Sequence, residues 1–290
     1  MNLLKRQMWF SNGLMSDVKI ILMTKDDLLL IHTWIVYHGE LLGYENLHIL
    51  DNSQDPRVLD IYNQTSNLGY HLHSYPDCNL NTAERYINII RKQIGNSCNF
   101  IAKFDTDEFL AMYKAGEYVY DRGVFKQQLE HLNTGTNHHF YNSYPSFDPS
   151  KPTLTATLFQ TPEVHVETDY KQLYTTKIEQ QIDLGGHGTR EHVGNNTGMT
   201  VLHYHRQPFE TYKQNLKKVC ISHGWFDHDD TDEQILHKLS TNTQQVSSHK
   251  REALVSILSG QVTETSFNQP HSYGCTLTYD GVCNVYNNLT

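Results

Sequence analysis

Three acidic side chains follow a short apolar run between Phe100 and Leu110, in the segment FIAKFDTDEFL. The run is typical of a buried strand that ends at the edge of a sheet. Because residues two apart on a strand point to the same side, Asp105 and Asp107 are expected to converge while Thr106 faces away. Two neighbouring carboxylates repel each other, so a divalent cation that prefers oxygen ligands, Mn²⁺ or Mg²⁺, is their expected partner. The alternative is that these acids only begin the next helix, where Asp and Glu are favoured in the first turn.

Strands and helices are predicted to alternate before these acids. Apolar runs predict strands at 18–23, 46–50 and 70–75, and apolar residues at helical spacing predict helices at 28–42, 57–64 and 81–94. Asn81 is expected to cap the third helix, because Glu84 follows it three residues later. Such alternation indicates a mostly parallel sheet that is covered by helices on both faces.

Polar clusters stand where three of the predicted strands end, at 24–27, 51–53 and 105–108. In open sheets of this kind, ligands bind beyond the carboxyl ends of the strands. The three clusters are therefore expected to share one rim. This shared position favours a site at the acid pair over a purely structural role.

The later part of the chain has a weaker pattern. It predicts helices at 124–132, 208–221, 232–239 and 244–258, strands at 138–141 and 200–202, a β-rich stretch at 153–159, a mobile glycine-rich loop at 182–198 and a loose final tail. We expect one catalytic domain over residues 1–222, with a donor half at about 17–110 and an acceptor half at about 111–222. Residues 223–290 are expected to form a helical C-terminal extension and tail.

The 290-residue chain has 38% hydrophobic residues and a formal net charge of -9 with neutral histidines. This balance is typical of a soluble folded protein and argues against non-specific binding to nucleic acid or to an anionic membrane. No apolar run is long enough to cross a bilayer, and the N-terminal residues lack the apolar core of a secretory signal. Five scattered cysteines without a Cys-x-x-Cys pair indicate neither a zinc knuckle nor a disulfide framework. We therefore expect a cytoplasmic protein, with association with a membrane face left open.

Several of these segments occur in the same order in a known family. The sequence HTWIVYH occupies residues 32–38, HILDNSQD residues 48–55 and FDTDEF residues 104–109, with later landmarks at Lys177, Gly186-His187, His203 and Phe209. With these segments the chain resembles nucleotide-sugar glycosyltransferases of the GT-A fold, specifically the family-2-like and family-92-like group. The resemblance covers roughly residues 18–215 and is strongest up to Leu110. It implies an α/β, Rossmann-like fold with a mixed, mainly parallel sheet flanked by helices.

The resemblance also implies a metal-dependent transfer of a sugar from a nucleoside diphosphate sugar, with a UDP-sugar favoured, to a glycan or glycoprotein acceptor. In such enzymes, Mn²⁺ or Mg²⁺ bridges the Asp pair and the phosphates of the donor. Asp107 would be a direct ligand, Asp105 would bind the ribose or reach the metal through water, and His203, or else His205, would be a late ligand. The alternative for either histidine is a local hydrogen bond at the end of a strand.

The resemblance implies further donor-binding residues: Thr24, Lys25, Asp51 and Asn52 at the strand ends, Arg85 near a phosphate, and Lys177 and His187 in a lid over the diphosphate. Asp51 could instead cap the turn that follows it. Arg85 could instead be a solvated charge on its helix.

Related families invert the anomeric carbon, which requires a general base on the acceptor hydroxyl. Asp183 and Glu191 are the candidates, with Asp148 and Glu163 as alternatives, and Glu108 is expected to orient the acid pair. Two other functions stay open. A metal-dependent phosphohydrolase would use His71-x-His73 or His203-x-His205 as additional ligands, and a non-catalytic glycan-binding module would keep the fold without turnover.

Overall fold

The first half of the chain alternates between strands and helices. The computed structural model describes residues 16–114, 117–147, 156–160, 171–188, 196–203, 209–222, 224–227, 229–241, 249–264 and 275–279. The elements of the first half are β1 Ser16–Thr24, α1 Ile31–Leu42, β2 Leu47–Asp51, α2 Pro56–Thr65, β3 His71–His73, α3 Ala83–Ile94 and β4 Cys98–Asp105. The strands are parallel neighbours in the order β3-β2-β1-β4. The predicted strand-helix alternation is confirmed, and the carboxyl ends of β1, β2 and β4 lie along one edge of the sheet.

One predicted helix start is wrong. Helix α3 begins at Ala83, and Asn81 does not cap it. The preceding turn is closed by its own side chains: the backbone N–H of Asn81 donates to Asn79 Oδ1 (2.9 Å), and the N–H of Asn79 donates to Thr82 Oγ1 (2.9 Å). Asn and Thr side chains often satisfy nearby backbone groups in this way, and here they delay the helix by two residues.

The second half continues the same sheet with mixed directions. Its elements are β5 Glu108–Lys114, β6 Glu117–Val119, α4 Arg122–Glu130, β7 His138–Phe147, β8 Ala156–Gln160, β9 Gln172–Thr175 and β10 Asn196–His203. Beyond β4 the order is β9-β7-β10-β5-β6, and only the β7–β10 pair in this stretch is parallel. The predicted α/β class with a mixed sheet flanked by helices is confirmed, and it is consistent with a GT-A fold. The parallel pairs are concentrated in the first half, and most of the other pairs between described strands are antiparallel. The expectation of a mainly parallel sheet is therefore wrong.

Two apolar cores cover the two faces of the sheet. Ile20 and Leu22 of β1 belong to the core beneath α1, α2 and α4, while Ile21 belongs to the core beneath α3. Because successive side chains of a strand point to opposite faces, a strand covered on both sides needs an unbroken apolar run. Each of these three side chains is 0% exposed, and full burial of such a side chain contributes about 1.5–3 kcal/mol.

The C-terminal helices form a third, separate core. Helix α5 (Phe209–Ser222) packs with α6 (Asp232–Thr241) and α7 (His249–Leu258) around Leu216, Phe226, Ile235 and Leu254. The predicted boundary at residue 222 stays a prediction, and this core includes residues on both sides of it. Strand β11 (Cys275–Tyr279), which is antiparallel to β8, lies where a loose tail was expected. Its β-branched and aromatic residues favour a strand once a partner is present. Within the described residues, helices long and apolar enough to cross a bilayer are absent.

Two buried histidines make the fold sensitive to acid. His38 and His48 are 0% and 4% exposed, and burial is the main cause that lowers the pKa of each from 6.5 to about 3. In the unfolded chain these side chains take up protons as the pH falls below 6.5, whereas the folded protein resists protonation until near pH 3. Stability must therefore fall with pH across this window.

We expect each of these two histidines to lower the free energy of unfolding by about 1.4 kcal/mol between pH 7.5 and pH 5.5. Urea unfolding of wild type and His48→Asn at both pH values measures this. The variant should lose less stability than wild type on acidification, whereas His237→Asn on the exposed side of α6 should match wild type. An equal loss in His48→Asn and wild type would contradict the assignment.

Candidate active site

The acid cluster lies in a tight turn between two strands that are not paired with each other. Strand β4 ends at Asp105, Thr106 and Asp107 form the turn, and β5 begins at Glu108. The expectation that Asp105 and Asp107 continue one strand is therefore wrong. Thr106 is buried, and its hydroxyl donates to Asp27 Oδ2 (2.6 Å) in the loop after β1. This hydrogen bond joins two of the three predicted rim clusters.

Asp107 meets His203 across this turn. Strand β10 is antiparallel to β5 with His203 opposite Glu108, which places His203 Nε2 3.4 Å from Asp107 Oδ2 and His203 Nδ1 3.8 Å from Glu108 Oε1. Burial lowers the pKa of His203, but Asp107, Glu108 and Asp105 together outweigh burial and raise it. The side chains of His203 and Asp107 are 26% and 22% exposed, so both can reach a ligand. Asp107 and His203, two of the residues that the resemblance assigned to a metal, therefore lie side by side, and metal binding by them stays a prediction.

Asp105 has a different environment, because each of its oxygens contacts a buried lysine. Lys103 Nζ lies 2.6 Å from Oδ1 and Lys171 Nζ lies 3.3 Å from Oδ2. Burial raises the pKa of Asp105, but the two ammonium groups outweigh it and hold the pKa far below its ordinary value. Sequence reasoning missed both lysines. Lys103 interrupts the apolar run of β4, which is a usable signal, whereas nothing in the local sequence marks Lys171.

Three side chains of α1 support the backbone that follows the acids. Trp34 Nε1 donates to the carbonyl oxygen of Glu108 (3.0 Å), and the hydroxyl of Tyr37 donates to the carbonyl oxygen of Leu110 (2.6 Å). His38 Nε2 accepts from the backbone N–H of Leu110 (3.2 Å). Buried backbone groups need such partners. These contacts give a structural reason for the aromatic residues of the segment at 32–38.

The rim beside β1 and β2 holds four predicted donor-binding residues. Thr24 is opposite Asp51 in the β1–β2 pair, Asn52 follows directly, and Lys25 is exposed. Asp51 is only 4% exposed, and its two oxygens accept from the hydroxyl (2.6 Å) and the backbone N–H (3.0 Å) of Ser53. Burial raises the pKa of Asp51. Asp51 therefore closes the turn after β2, as the alternative interpretation held, and Thr24, Lys25 and Asn52 are the more accessible rim residues.

Lys177 does not lie near the acids. It is exposed in the turn after β9, where the backbone N–H of Thr176 donates to the carbonyl oxygen of Asn99 (3.0 Å) near the start of β4. Because β9 is antiparallel to β4, this turn lies at the opposite end of β4 from Asp105, about 20 Å away. The predicted place of Lys177 in a lid is therefore wrong.

Arg85 lies in the first turn of α3, exposed, with its guanidinium 5.5 Å from the centre of the Tyr86 ring. The N-terminus of α3 is at the rim, since the helix returns the chain from the end of β3 to the start of β4. A role at a phosphate stays a prediction.

The start of the predicted glycine-rich loop is a packed turn. Asp183 Oδ1 accepts from the backbone N–H of His187 (3.0 Å), and Oδ2 accepts from that of Gly188 (2.7 Å). Gly186 has a φ of 72°, and a Cβ there would lie 2.9 Å from the carbonyl oxygen of Lys103. Only glycine allows this close approach at that φ. Residues 183–188 are therefore fixed beside Lys103, and both oxygens of Asp183 serve the turn.

Four other predicted site residues, His205, Glu191, Asp148 and Glu163, lie outside the described residues. Their predicted roles stay predictions.

The described site residues can hold a divalent cation only if a bound ligand supplies some of the coordinating atoms. Asp107 and His203 provide a carboxylate and an imidazole, which suit Mn²⁺, while the oxygens of Asp105 contact lysines. Among the residues with described positions, no group of three His, Cys, Asp or Glu side chains is arranged to hold a metal ion. Phosphate oxygens and water would have to complete the coordination, which is the usual situation for Mg²⁺ and Mn²⁺ at phosphate sites.

Comparison with known proteins gives likeness at the level of structure only. No protein-family model and no curated protein matches the chain. A crystal structure of S. aureus TarS, residues 1–349, is similar at 10% identity and a TM-score of 0.41, with 77% of this chain and 69% of that chain covered. A putative nucleotide-diphospho-sugar transferase from Desulfovibrio desulfuricans is similar at 13% identity and a TM-score of 0.28, with 56% and 65% covered. A mannose-1-phosphate geranyltransferase from Thermus thermophilus is similar at 8% identity and a TM-score of 0.28, with 52% and 51% covered.

The chain thus spans 69% of the TarS fragment and less than two thirds of the other two proteins. These values concern the fold alone. Function is inferred from the residues of the site.

Proposed function

We propose that the protein is a glycosyltransferase that moves a sugar from a nucleoside diphosphate sugar, with a UDP-sugar favoured, to a glycan or glycoprotein acceptor. The observation that carries this proposal is the pairing of Asp107 with His203, 3.4 Å apart and both partly exposed, at the carboxyl edge of the parallel strands. The family resemblance assigned both residues to the donor's metal. The sheet brings them together although they are far apart in the sequence.

Departure of a nucleoside diphosphate places negative charge on its phosphate oxygens. Asp107 and His203 would hold Mn²⁺ or Mg²⁺ at those oxygens, and the bound cation would supply Lewis-acid stabilisation of the developing charge. Thr24, Lys25 and Asn52, which lie at the same edge, would contact the base, ribose and phosphates. The turn at 105–108 is held in place by α1 and by the two lysines, so Asp107 needs little reorganisation when the donor binds.

Inversion at the anomeric carbon is proposed from the family resemblance alone. An inverting reaction needs a base at the acceptor hydroxyl. Asp183 is a poor candidate, because its two oxygens accept from the backbone of its own turn. Glu191 stays the candidate for this base.

The phosphohydrolase alternative loses part of its support. His71 and His73 lie on β3, three strand positions from β4 in the sheet, which is about 14 Å. They contact His48 instead, with the His48 and His71 rings stacked 4.5 Å apart. A hydrolase site built on the acid turn would therefore lack this histidine pair.

Thermal unfolding with and without Mn²⁺, against a panel of nucleoside diphosphates and nucleotide sugars, tests the proposal. A ligand that binds only the folded protein stabilises it by mass action. We expect one nucleotide, at a concentration about 100 times its Kd and in the presence of Mn²⁺, to raise Tm by about 5 °C. EDTA should abolish the increase. If no nucleotide raises Tm with or without Mn²⁺, the transferase proposal fails, and the hydrolase and glycan-binding alternatives become the leading ones.

A further inference from the structure

Two lysines at the acid cluster are almost completely buried. Lys103 is 1% exposed and Lys171 is 3% exposed. Lysine is rarely buried unless its charge is paired, because removing an ammonium group from water is costly. The charges of both lysines must therefore be paired inside the protein.

All three N–H donors of the Lys171 ammonium have acceptors within the protein. Its Nζ lies 2.9 Å from Glu108 Oε2 and 3.3 Å from Asp105 Oδ2, and it donates to the carbonyl oxygen of Gly185. An ammonium group has three donors and no acceptor. Lys171 has no donor left for a phosphate, and it cannot contact a substrate without losing one of these partners.

The partners of Lys171 come from separate parts of the chain. Asp105 ends β4, Glu108 begins β5, and Gly185 belongs to the packed turn after β9. Glu108 Oε2 also accepts from the backbone N–H of Asp105 (2.8 Å), so the two acids and the turn between them close into one unit around Lys171. Next to it, the carbonyl oxygen of Gly186 accepts from the backbone N–H of Gln172 (2.9 Å).

Charge compensation differs between the two aspartates. Asp105 has Lys103 on one oxygen and Lys171 on the other. Asp107 contacts His203, and that pair is partly exposed. The two lysines thus neutralise Asp105 and Glu108 and leave Asp107 and His203 able to bind a cation.

We propose that Lys171 is a positioning residue of the donor site: its ammonium group fixes Asp105, Glu108 and the turn at 183–188, so that Asp107 and His203 are the groups presented to the donor. This inference rests on the proposed function. It also changes the expected role of Asp105, from a ligand of the ribose or metal to an internal partner of two lysines.

Lys171→Met tests the proposal, because it removes the charge and keeps an unbranched apolar side chain. On folded protein, we expect the Kd for Mn²⁺ with UDP, or with the nucleotide that gave the thermal shift, to rise by about 10–100-fold, as is common when the partners that orient metal ligands are removed. Electron paramagnetic resonance of free Mn²⁺ measures this Kd. Lys92→Met, an exposed change on α3, is the matched control and should leave the Kd unchanged.

A double-mutant cycle with Glu108→Gln tests the network without using any ligand. Lys171→Met leaves Glu108 buried and without its ammonium partner, whereas the double variant removes both charges. We expect the double variant to be more stable to urea than Lys171→Met alone, while its Mn²⁺–nucleotide affinity stays low. The double variant also serves for the binding measurement if Lys171→Met does not fold.

The outcomes separate the two proposals. If wild type binds no nucleotide but the cycle shows coupling, the donor function fails and the ion-pair network stands as a structural feature only. If wild type binds and both Lys171→Met and the double variant bind with unchanged Kd, the positioning role is overturned. Additive stability effects in the cycle would overturn the network itself.

Discussion

Asp107→Asn is expected to lower kcat/KM for sugar transfer by at least about 1000-fold, which corresponds to about 4 kcal/mol of transition-state stabilisation. The change keeps the size of the side chain but removes the negative charge that, with His203, would hold the cation at the donor phosphates. Asp107 is 22% exposed and its contact with His203 is a partly exposed pair, so the free energy of unfolding should change by less than about 1 kcal/mol. Steady-state kinetics with the donor from the thermal screen, together with urea unfolding, measure both quantities.

Two companion variants make this result specific. Asp60→Asn, on the exposed face of α2, should keep wild-type activity and stability. Asp105→Asn should behave differently from Asp107→Asn, because it leaves the buried Lys103 without its carboxylate and should cost about 3 kcal/mol of stability. Full activity in Asp107→Asn would remove the basis of the proposed function.

Trp34→Ala is expected to lower the free energy of unfolding by about 3–5 kcal/mol. Trp34 is 0% exposed, and its removal leaves a large cavity beneath the sheet. The substitution also leaves the carbonyl oxygen of Glu108 without the indole N–H that lies 3.0 Å away, which adds the cost of a buried acceptor with no partner. Because that carbonyl follows the acid turn directly, activity per folded molecule should fall as well.

Phe125→Ala distinguishes the effect of lost core packing from the effect of lost contacts to the site. Phe125 lies in the same apolar core and is also 0% exposed, but it belongs to α4 and is not among the α1 side chains that contact residues 108–110. The substitution should lower the free energy of unfolding by about 3–5 kcal/mol as well, as is typical of aromatic-to-alanine changes in a core. The folded fraction should keep its activity. Urea unfolding gives the stability, and kinetics at low temperature, where the variants stay folded, give the activity. If Trp34→Ala keeps full activity per folded molecule, α1 supports the fold and not the site.

Much of the first half of the fold was predictable from the sequence. The apolar runs that became β1, β2 and β4 are covered on both faces, so most residues in them are apolar for the same reason, and the run itself is the signal. Because the strands are parallel, their carboxyl ends share one edge, and the polar residues after them had to meet there. The position of Thr24, Asp51 and Asp105 along one rim therefore followed from the order of strands and helices along the sequence.

The second half was less predictable because its pairings are long-range and mixed in direction. Lys177 illustrates the difficulty: its sequence position suggested a lid, but the antiparallel pairing of β9 with β4 carries it to the opposite end of the sheet. The glycine-rich segment had the composition of a mobile loop, yet residues 183–188 are fixed, because Gly186 packs on Lys103 and Asp183 closes the turn. Composition indicates which backbone conformations a segment can adopt, whereas its contacts in the folded protein decide which one it adopts.

The sequence alone determined which residues carry charge at the rim, but it did not assign them different roles. Asp105 and Asp107 are two positions apart and chemically identical, so no local pattern distinguishes them. The tertiary structure does so by bringing Lys171, 66 positions from Asp105, to one carboxylate and His203 to the other. The physical reason is that the charge state and exposure of an acid depend on what lies within a few ångströms of it, and only the completed sheet fixes those neighbours.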